Sequence, residues 1–526
     1  MELRSFLPYK VEDNVQRISM VMLISLCIFS FFETLYFPQP ENIYGCFIFF
    51  VGWVLLYIFV LRFKGYKRNK CLFPYLAMLG FGVTFFWLPL IVTFLEGKPL
   101  TFRFQNPYLT FNNQLINLVM LIAAYRLCLS TYRRGNWLQQ LWKKIGYFTP
   151  PTDRQIWVMG LVGALAFILL LSVQGGDEGR AENLGILGHL CGVLKAFITF
   201  PFLLLFREIY GGNSEKKSGL HILLCFFILN VALGLATGKR TAILGPVMTL
   251  AMCYLIPAFT ENKRLFSARN TIILLVALYL VTGPVANMAM AMAVGRDNKG
   301  MTNASMTFDN IMRIYQDKEL LHSLYQMSIM DHDNLGNNMY GWSEYYVDNV
   351  LLDRFCNIRV CDATLFYANR LGFDNPKMHE YMANQVLFLL PTPILRALNI
   401  QVNKFELQYT PGDLLSTEGL RLKQQYRGYR VAGATGIGLY LWGYKYYIIA
   451  FFLYYALFYF LSSKVFVTQE GRVIIPVVEI IVLFRVFLLF NNDTGIVKVV
   501  TTLLRTGWQD IVVYCLIFFI VRKFVR

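Results

Sequence analysis

The sequence has few charged residues and lacks the motifs that mark many soluble enzymes. Only 15% of its 526 residues are charged, and only 5 are histidine. It contains no Walker A glycine–lysine pattern and no dinucleotide fingerprint, so neither ATP nor NAD binding is indicated. It also lacks the HExxH and CxxC spacings, so no metal site is predicted. The sequence therefore predicts no cofactor.

Apolar residues, by contrast, make up 56% of the chain. They occur in runs of about 18–22 residues, long enough for a helix to cross a hydrocarbon layer roughly 30 Å thick. The sequence therefore predicts an all-α polytopic integral membrane protein. About twelve transmembrane helices are expected, near residues 18–37, 43–61, 71–94, 109–130, 155–173, 186–206, 219–237, 241–259, 270–290, 436–461, 473–490 and 508–522.

The charges of the connecting segments predict the orientation. If the N-terminus is cytoplasmic, the inner segments contain 25 Lys and Arg residues against 8 Asp and Glu residues, and the difference equals the net charge of +17. The rest of the chain then balances to zero, as the positive-inside rule requires of a chain with both ends in the cytoplasm. The basic residues act as topology signals scattered over short loops, so no nucleic-acid partner is expected.

One outer connection is much longer than the others. It divides the chain into helices 1–9 (residues 1–293), a mainly helical loop subdomain (294–433) and helices 10–12 (434–526). The loop carries 14 basic and 15 acidic residues, which favours a folded catalytic or recognition element. It also contains Cys356 and Cys361. A disulfide between them would suit an oxidising compartment, and two free thiols are the alternative.

Basic residues on the predicted outer face need an explanation, because the positive-inside rule works against them. Guanidinium groups bind phosphate oxygens bidentately, and several at one cleft would neutralise a diphosphate without a metal. Snorkelling of each side chain to lipid phosphate is the alternative. The candidate diphosphate-binding residues are Lys239, Arg240, Arg296, Arg421, Arg427 and Arg430.

Acids and histidines of the loop are the candidates for proton transfer. A hydroxyl group that acts as a nucleophile needs a base within hydrogen-bonding distance, and histidine or a carboxylate suits this role. A solvated polar loop is the alternative for both clusters. The candidate catalytic residues are Asp331 and His332 in "MDHDN" and His379 and Glu380 in "KMHEYM".

Three features together resemble a known family. They are "ATGKRTAIL" at 236–244, the long outer loop before the third-last helix, and its closing stretch "YRGYRVAGATGIG", in which ten residues lie between Arg427 and Gly438. In these features the chain resembles bacterial polysaccharide repeat-unit polymerases, the Wzy family that makes O-antigen, capsule and exopolysaccharide. The first outer loop, "FPQPEN", lacks the paired aspartates of metal-dependent lipid-phosphosugar transferases.

The resemblance implies a fold of the O-antigen polymerase and ligase type in the bacterial inner membrane, with the active side periplasmic. It implies undecaprenyl-diphosphate-linked glycans as substrates, metal-independent inverting glycosyl transfer, and membrane lipid as the surroundings. It is also compatible with a chain-length regulator protein as a partner. Two alternatives stay open: an O-antigen ligase-like transferase, and a non-enzymatic flippase or exporter of lipid-linked oligosaccharide.

Overall fold

The structure is mainly helical in its described part, with one short hairpin and non-helical connections between the helices. It is a computed structural model that describes residues 14–63, 66–132, 136–174, 185–213, 219–237, 240–260, 281–294, 304–324, 344–389, 409–420, 430–491 and 495–525, with isolated positions at 276, 279, 342, 395, 398–401 and 407. The hairpin pairs β1 (Phe466–Val467) with β2 (Val473–Ile474) in antiparallel fashion. The prediction of a helical fold is confirmed at this level.

Seven helices of the described part are long and apolar enough to cross a membrane. They are Asn14–Tyr36, Pro40–Leu61, Leu72–Leu95, Pro107–Thr131, Asp153–Leu170, Ala434–Ser462, which is interrupted at Gly443, and Ile496–Phe524. Shorter apolar helices lie at Leu190–Leu205, Leu220–Gly234 and Gly245–Pro257. Each overlaps one of the twelve predicted spans. The prediction of an all-α membrane protein is therefore confirmed, while the number of spans stays a prediction.

The helices before residue 261 begin and end as follows: α1 Asn14–Tyr36, α2 Pro40–Leu56 with a π-helical turn to Leu61, α3 Tyr66–Lys70, α4 Leu72–Phe86, α5 Leu88–Leu95, α6 Pro107–Thr131, α7 Trp137–Lys144, α8 Asp153–Gln174, α9 Gly185–Leu194 with a 3-10 continuation to Leu205, α10 Arg207–Tyr210, α11 Leu220–Thr237 and α12 Arg240–Thr260. Two of these starts show clear capping. The Asn106 side chain accepts the Leu109 N–H before α6, and the Asn136 side chain accepts the Leu138 N–H before α7. Capping of this kind satisfies N–H groups that have no partner within the helix.

The later helices are α13 Ala286–Val294, preceded by a π-helical turn from Val281, α14 Ala304–Gln316, α15 Val350–Asp353, α16 Ile358–Leu371, α17 Pro376–Leu389, α18 Pro411–Leu420, α19 Ala434–Trp442, α20 Tyr446–Ser462, α21 Val477–Ile480, α22 Leu483–Phe487, α23 Gly495–Thr501 with a π-helical turn to Thr506, and α24 Gly507–Phe524. Helices α14 to α18 belong to the loop subdomain. Its described residues are therefore mainly helical, as predicted.

The helix predicted over 436–461 is broken near its start, between α19 and α20. Gly443 has a φ of +55°, a left-handed conformation that glycine adopts without the strain other residues incur. Gly438 lies so close to Tyr446 that an added Cβ would be 2.1 Å from the tyrosine ring. Residues eight apart in a straight helix are separated by about 12 Å along its axis. The chain therefore bends sharply at Gly443.

The segment predicted as the eleventh span, 473–490, is not a single helix. It consists of β2, α21 and α22, separated by turns. The Ile475 N–H donates to the Ile209 carbonyl at 2.9 Å, outside the segment. Near its other end, Gly80 allows close approach of the Phe487 carbonyl, since an added Cβ would lie 1.7 Å from that oxygen. Contacts with other elements thus replace the regular bonding of a continuous helix.

Polar contacts gather at two ends of the bundle. At the first, Lys98 in the connection after α5 forms an ion pair with Asp348 of the loop subdomain at 2.8 Å. At the second, Trp142 donates to the Ser463 hydroxyl at 2.9 Å, next to Lys464. We call these the subdomain end and the Lys464 end. Segments predicted to lie outside meet at the first end, and segments predicted to lie inside meet at the second.

Candidate functional site

The loop subdomain is fixed to the membrane helices by a buried carboxylate on α16. Asp362 accepts hydrogen bonds from the backbone N–H groups of Gln105 (2.7 Å) and Asn106 (2.9 Å) and from the Thr110 hydroxyl (3.0 Å). Arg359, one turn earlier, donates to it at 3.0 Å. Burial raises the pKa of Asp362, and these donors act against that rise. Helix α16 is thereby held against the N-terminus of α6.

A short extended segment, residues 430–433, leads from the loop into α19 and is held by side chains around it. The Arg430 N–H donates to the Asp413 carboxylate at 3.2 Å, and the Thr410 hydroxyl donates to the Arg430 carbonyl at 2.8 Å. The next N–H, of Val431, donates to Glu344 at 2.6 Å. The backbone of Arg430 is therefore fixed independently of its side chain.

The side chain of Arg430 is half-buried, and its guanidinium forms no ion pair with a carboxylate among the described residues. Its Nη1 donates to the Ser416 hydroxyl on α18 at 2.8 Å. A guanidinium carries five N–H donors, so most remain for another acceptor. Their planar arrangement matches a phosphate group better than a lysine ammonium does. Arg430 is the one predicted diphosphate-binding residue whose side chain lies in the described part.

His379 and Asp374 form a hydrogen-bonded dyad on the exposed side of the subdomain. The His379 Nε2 lies 2.9 Å from the Asp374 Oδ1, and the Lys445 Nζ lies 3.7 Å from Oδ2. The hydrogen bond with His379 lowers the pKa of Asp374, which keeps the carboxylate ionised. An ionised Asp374 favours the histidine tautomer that carries its proton on Nε2. The other ring nitrogen, Nδ1, is then the one that accepts a proton.

Asp374 was not among the predicted catalytic residues. It has a φ of +59°, a conformation that is uncommon outside glycine, although Asp and Asn tolerate it best. Its N–H donates to the Leu439 carbonyl at 3.3 Å, and the Asn375 N–H donates to the Tyr440 carbonyl at 2.8 Å. This turn thus satisfies the last carbonyls of α19. The sequence signal for it is "GFDNP", a turn pattern five residues before His379.

The dyad and Arg430 lie along different parts of α18. The Arg430 side chain contacts Ser416 in the middle of that helix, while Lys377, beside the dyad, forms an ion pair with Glu418 in its last turn. By chain connectivity, residues 421–429 join the end of α18 to Arg430. Two of the predicted arginines are in that connection, which lies outside the described residues.

The other predicted site residues fall into three groups. Glu380 is exposed and forms no hydrogen bond or ion pair with another described residue. Arg240 begins α12, but its side chain lies outside the described part. The residues that lie wholly outside it are Lys239, Arg296, Arg421, Arg427, Asp331 and His332.

Cys356 and Cys361 are free, buried thiols, so the alternative to a disulfide is the one observed. The four residues between them include the start of α16, and both side chains pack into the main hydrophobic core. Across the described residues, no group of three or more His, Cys, Asp or Glu side chains is arranged to hold a metal ion.

A second carboxylate of the subdomain, the half-buried Asp353, has a raised pKa. It accepts the backbone N–H groups of Tyr346 at 3.3 Å and Val347 at 3.2 Å. Burial raises its pKa to about 7, against the partial relief that these hydrogen bonds provide. In the folded state Asp353 therefore binds a proton over a pH range in which the unfolded chain has already lost it.

The free energy of unfolding is expected to fall as the pH rises from about 4 to about 7 and to level off above that. The lower limit is the pKa of an aspartate in the unfolded chain, and the upper limit is the pKa of Asp353 in the folded protein. The loss amounts to at most about 1.4 kcal/mol for each pH unit within this window. In Asp353→Asn, whose amide oxygen still accepts both N–H groups, the thermal unfolding temperature in detergent should change less between these pH values. Asp317→Asn, at the exposed start of the helical residues 318–324, is the control and should keep the wild-type slope. Equal slopes in all three proteins would contradict the assignment.

Comparison with known proteins found no protein-family model, no curated protein and no solved structure that matches this chain.

Proposed function

We propose that this protein is a membrane glycosyltransferase that joins undecaprenyl-diphosphate-linked repeat units into a polysaccharide at the periplasmic face of the bacterial inner membrane. One observation carries the proposal. A histidine–aspartate dyad and a guanidinium without a carboxylate partner belong to one helical unit, at one end of a bundle of membrane helices. The charge count of the sequence supports the orientation, and the family resemblance supports the lipid-linked substrate.

In the proposed reaction, a sugar hydroxyl of one repeat unit attacks the anomeric carbon of another. His379 accepts the hydroxyl proton at Nδ1, because Asp374 engages Nε2. A glycosidic C–O bond forms as the bond from the anomeric carbon to the diphosphate oxygen breaks. Attack from the face opposite the leaving group inverts the configuration at that carbon.

The leaving diphosphate takes the bonding electrons, so negative charge grows on its oxygens. Arg430 is proposed to stabilise that charge, since its backbone is fixed and its guanidinium has donors available. A donor group held in place beforehand does not have to reorganise during the reaction, and this is why fixed cations are effective in such sites. Arg421 and Arg427, which lie outside the described residues, stay predicted diphosphate-binding residues.

A second candidate function, transport of lipid-linked oligosaccharide without chemistry, is favoured by a different observation. Lys464 and Glu479 form an ion pair in the bundle at 2.8 Å, and both side chains are at least 95% buried. Ionisable groups buried among membrane helices often belong to transport pathways. The two functions differ in product: transport moves the lipid-linked glycan unchanged, whereas the transferase lengthens it.

The test is incubation of the purified protein with lipid-diphosphate-linked repeat units in detergent. The transferase should produce a ladder of polymers on a gel, and a chelator should not stop it. In His379→Ala, loss of the base is expected to slow polymer formation by about 10²-fold or more. In Asp374→Asn the decrease should be smaller, because the base remains and loses only its orienting carboxylate.

His322→Ala is the matched control, because His322 is an exposed histidine on another part of the loop. It should retain the wild-type rate. An absence of polymer with the folded wild-type protein would contradict the transferase and favour transport. Full polymer formation by His379→Ala would contradict the assigned base.

A further inference from the structure

The Lys464 end of the bundle contains a carboxylate with one oxygen bonded and the other without a partner. The Glu479 Oε1 lies 2.8 Å from the Lys464 Nζ and accepts the Tyr147 hydroxyl at 2.5 Å. Its Oε2 is buried and accepts no hydrogen bond from any described residue. A buried polar atom that lacks a donor is costly, and natural structures contain few of them. This oxygen therefore points to a bound group.

A second carboxylate, Asp510 on α24, faces the same region. It is close enough to Glu479, Lys464 and Arg485 to interact with their charges. It nevertheless forms no hydrogen bond or ion pair within the described part of the chain. Asp510 lines a small cavity together with Arg485 and apolar side chains that include Phe197, on the Leu190–Leu205 helix.

The fully buried charged groups of this region are the carboxylate of Glu479 and the ammonium group of Lys464, which pair with each other. Asp510 is half-buried, and Arg485, exposed at the edge of the cavity, makes no ion pair with it. A carboxylate that lies among apolar side chains without a hydrogen-bond donor is unfavourable, and binding of a proton removes its charge.

We propose that Asp510, beside the unpartnered oxygen of Glu479, binds a proton at neutral pH and exchanges it with water through the cavity beside Arg485. Protonation transfers one proton from water to a carboxylate oxygen, and release returns it. The other ionisable groups that face the pair are Lys464, Tyr147 and Arg485. Phe197 and the side chains around it add no charge.

Protonation of this site is also expected to affect the position of the helix that carries Glu479. Glu479 lies on α21, a four-residue helix, and turns separate α21 from β2 and from α22. Interrupted helices within membrane bundles are the elements on which transported ions and protons bind in many transporters. Continuous helical hydrogen bonds do not hold such a segment in place, so a change of charge on it is expected to shift it. The position of α21 should therefore depend on the protonation of the pair.

Infrared spectroscopy of the purified full-length protein tests the site without any substrate. At neutral pH the wild-type protein should show a carboxylic-acid carbonyl band that shifts when H₂O is replaced by D₂O. The difference between wild type and Asp510→Asn should equal one carboxyl group per protein, which separates this band from those of other buried acids. Glu479→Gln should remove or shift the same band. Glu470→Gln, which changes an exposed carboxyl in the turn between β1 and β2, should leave it unchanged.

Size-exclusion chromatography checks that each variant is folded. If a variant does not fold, the carboxylic-acid band of the wild-type protein in D₂O still tests the proposal. No carboxylic-acid band in the folded wild type at neutral pH would overturn the proposal. So would a band that survives in both Asp510→Asn and Glu479→Gln. In another outcome, the band appears only after sodium in the buffer is replaced by a larger cation. Sodium, and not a proton, would then be the group bound at neutral pH, and the proposal would be overturned.

Discussion

Arg430→Ala is expected to reduce polymer formation by about 10²- to 10³-fold, the loss typical when a donor to developing negative charge is removed. The variant should still fold, because alanine keeps the N–H that bonds Asp413 and the carbonyl that accepts the Thr410 hydroxyl. The one described side-chain contact that it loses is the hydrogen bond to Ser416. The measurement is the rate of polymer formation from lipid-linked repeat units, with size-exclusion chromatography as the check on folding.

Two further variants separate charge from geometry. Arg430→Lys keeps the positive charge but loses the planar pair of donors, so its rate should lie between those of wild type and Arg430→Ala. Arg472→Ala removes an exposed arginine at the Lys464 end, where it donates to the Glu208 carbonyl, and should have the wild-type rate. If Arg430→Ala were as active as Arg472→Ala, the role of Arg430 with the diphosphate would be excluded.

Asp362→Ala is expected to destabilise the protein by about 3–5 kcal/mol, the range for breaking a buried ion pair by removal of one partner. The change takes away the carboxylate that pairs with Arg359. It also removes the acceptor of the Gln105 and Asn106 N–H groups at the start of α6. The thermal unfolding temperature in detergent should fall, and proteolysis of the loop subdomain should become faster, because α16 loses its anchor on the membrane helices.

Asp317→Ala is the matched control for this effect. Asp317 is an exposed aspartate of the loop that accepts a single N–H, from Leu320, at 3.0 Å. Loss of such a helix cap costs about 1 kcal/mol. Equal unfolding temperatures for the two variants would show that Asp362 does not anchor the subdomain.

Much of the membrane architecture could be predicted from the sequence because it depends on local composition. A backbone segment in lipid must satisfy its own hydrogen bonds, so a long apolar run is helical almost whatever its neighbours are. The predicted helices at 18–37 and 109–130 correspond to α1 and α6 for this reason. The helix predicted at 436–461 is equally apolar, yet it is broken. Its break depends on the positive φ of Gly443 and on the contact of Gly438 with Tyr446.

The candidate site was predictable only in part. His379 and Arg430 were identified from residue type, because imidazole suits proton transfer and guanidinium suits phosphate. Asp374 was not predicted, since its contact with His379 arises from a turn with an unusual backbone conformation. Glu479 stands out in the sequence as a charged residue within an apolar segment, but the sequence does not show that Lys464 is its partner.

The sequence by itself determined that this chain is a helical membrane protein, and its charges and loop length indicated where an outer subdomain lies. These properties follow from the solvation of each segment on its own. Only the tertiary structure decided which polar groups meet: Asp362 with Gln105, 257 positions apart in the chain, Arg430 with Ser416, and Glu479 with Lys464 and Tyr147. Such contacts depend on how the helices pack together, and packing is a property of the whole fold, which no local segment encodes.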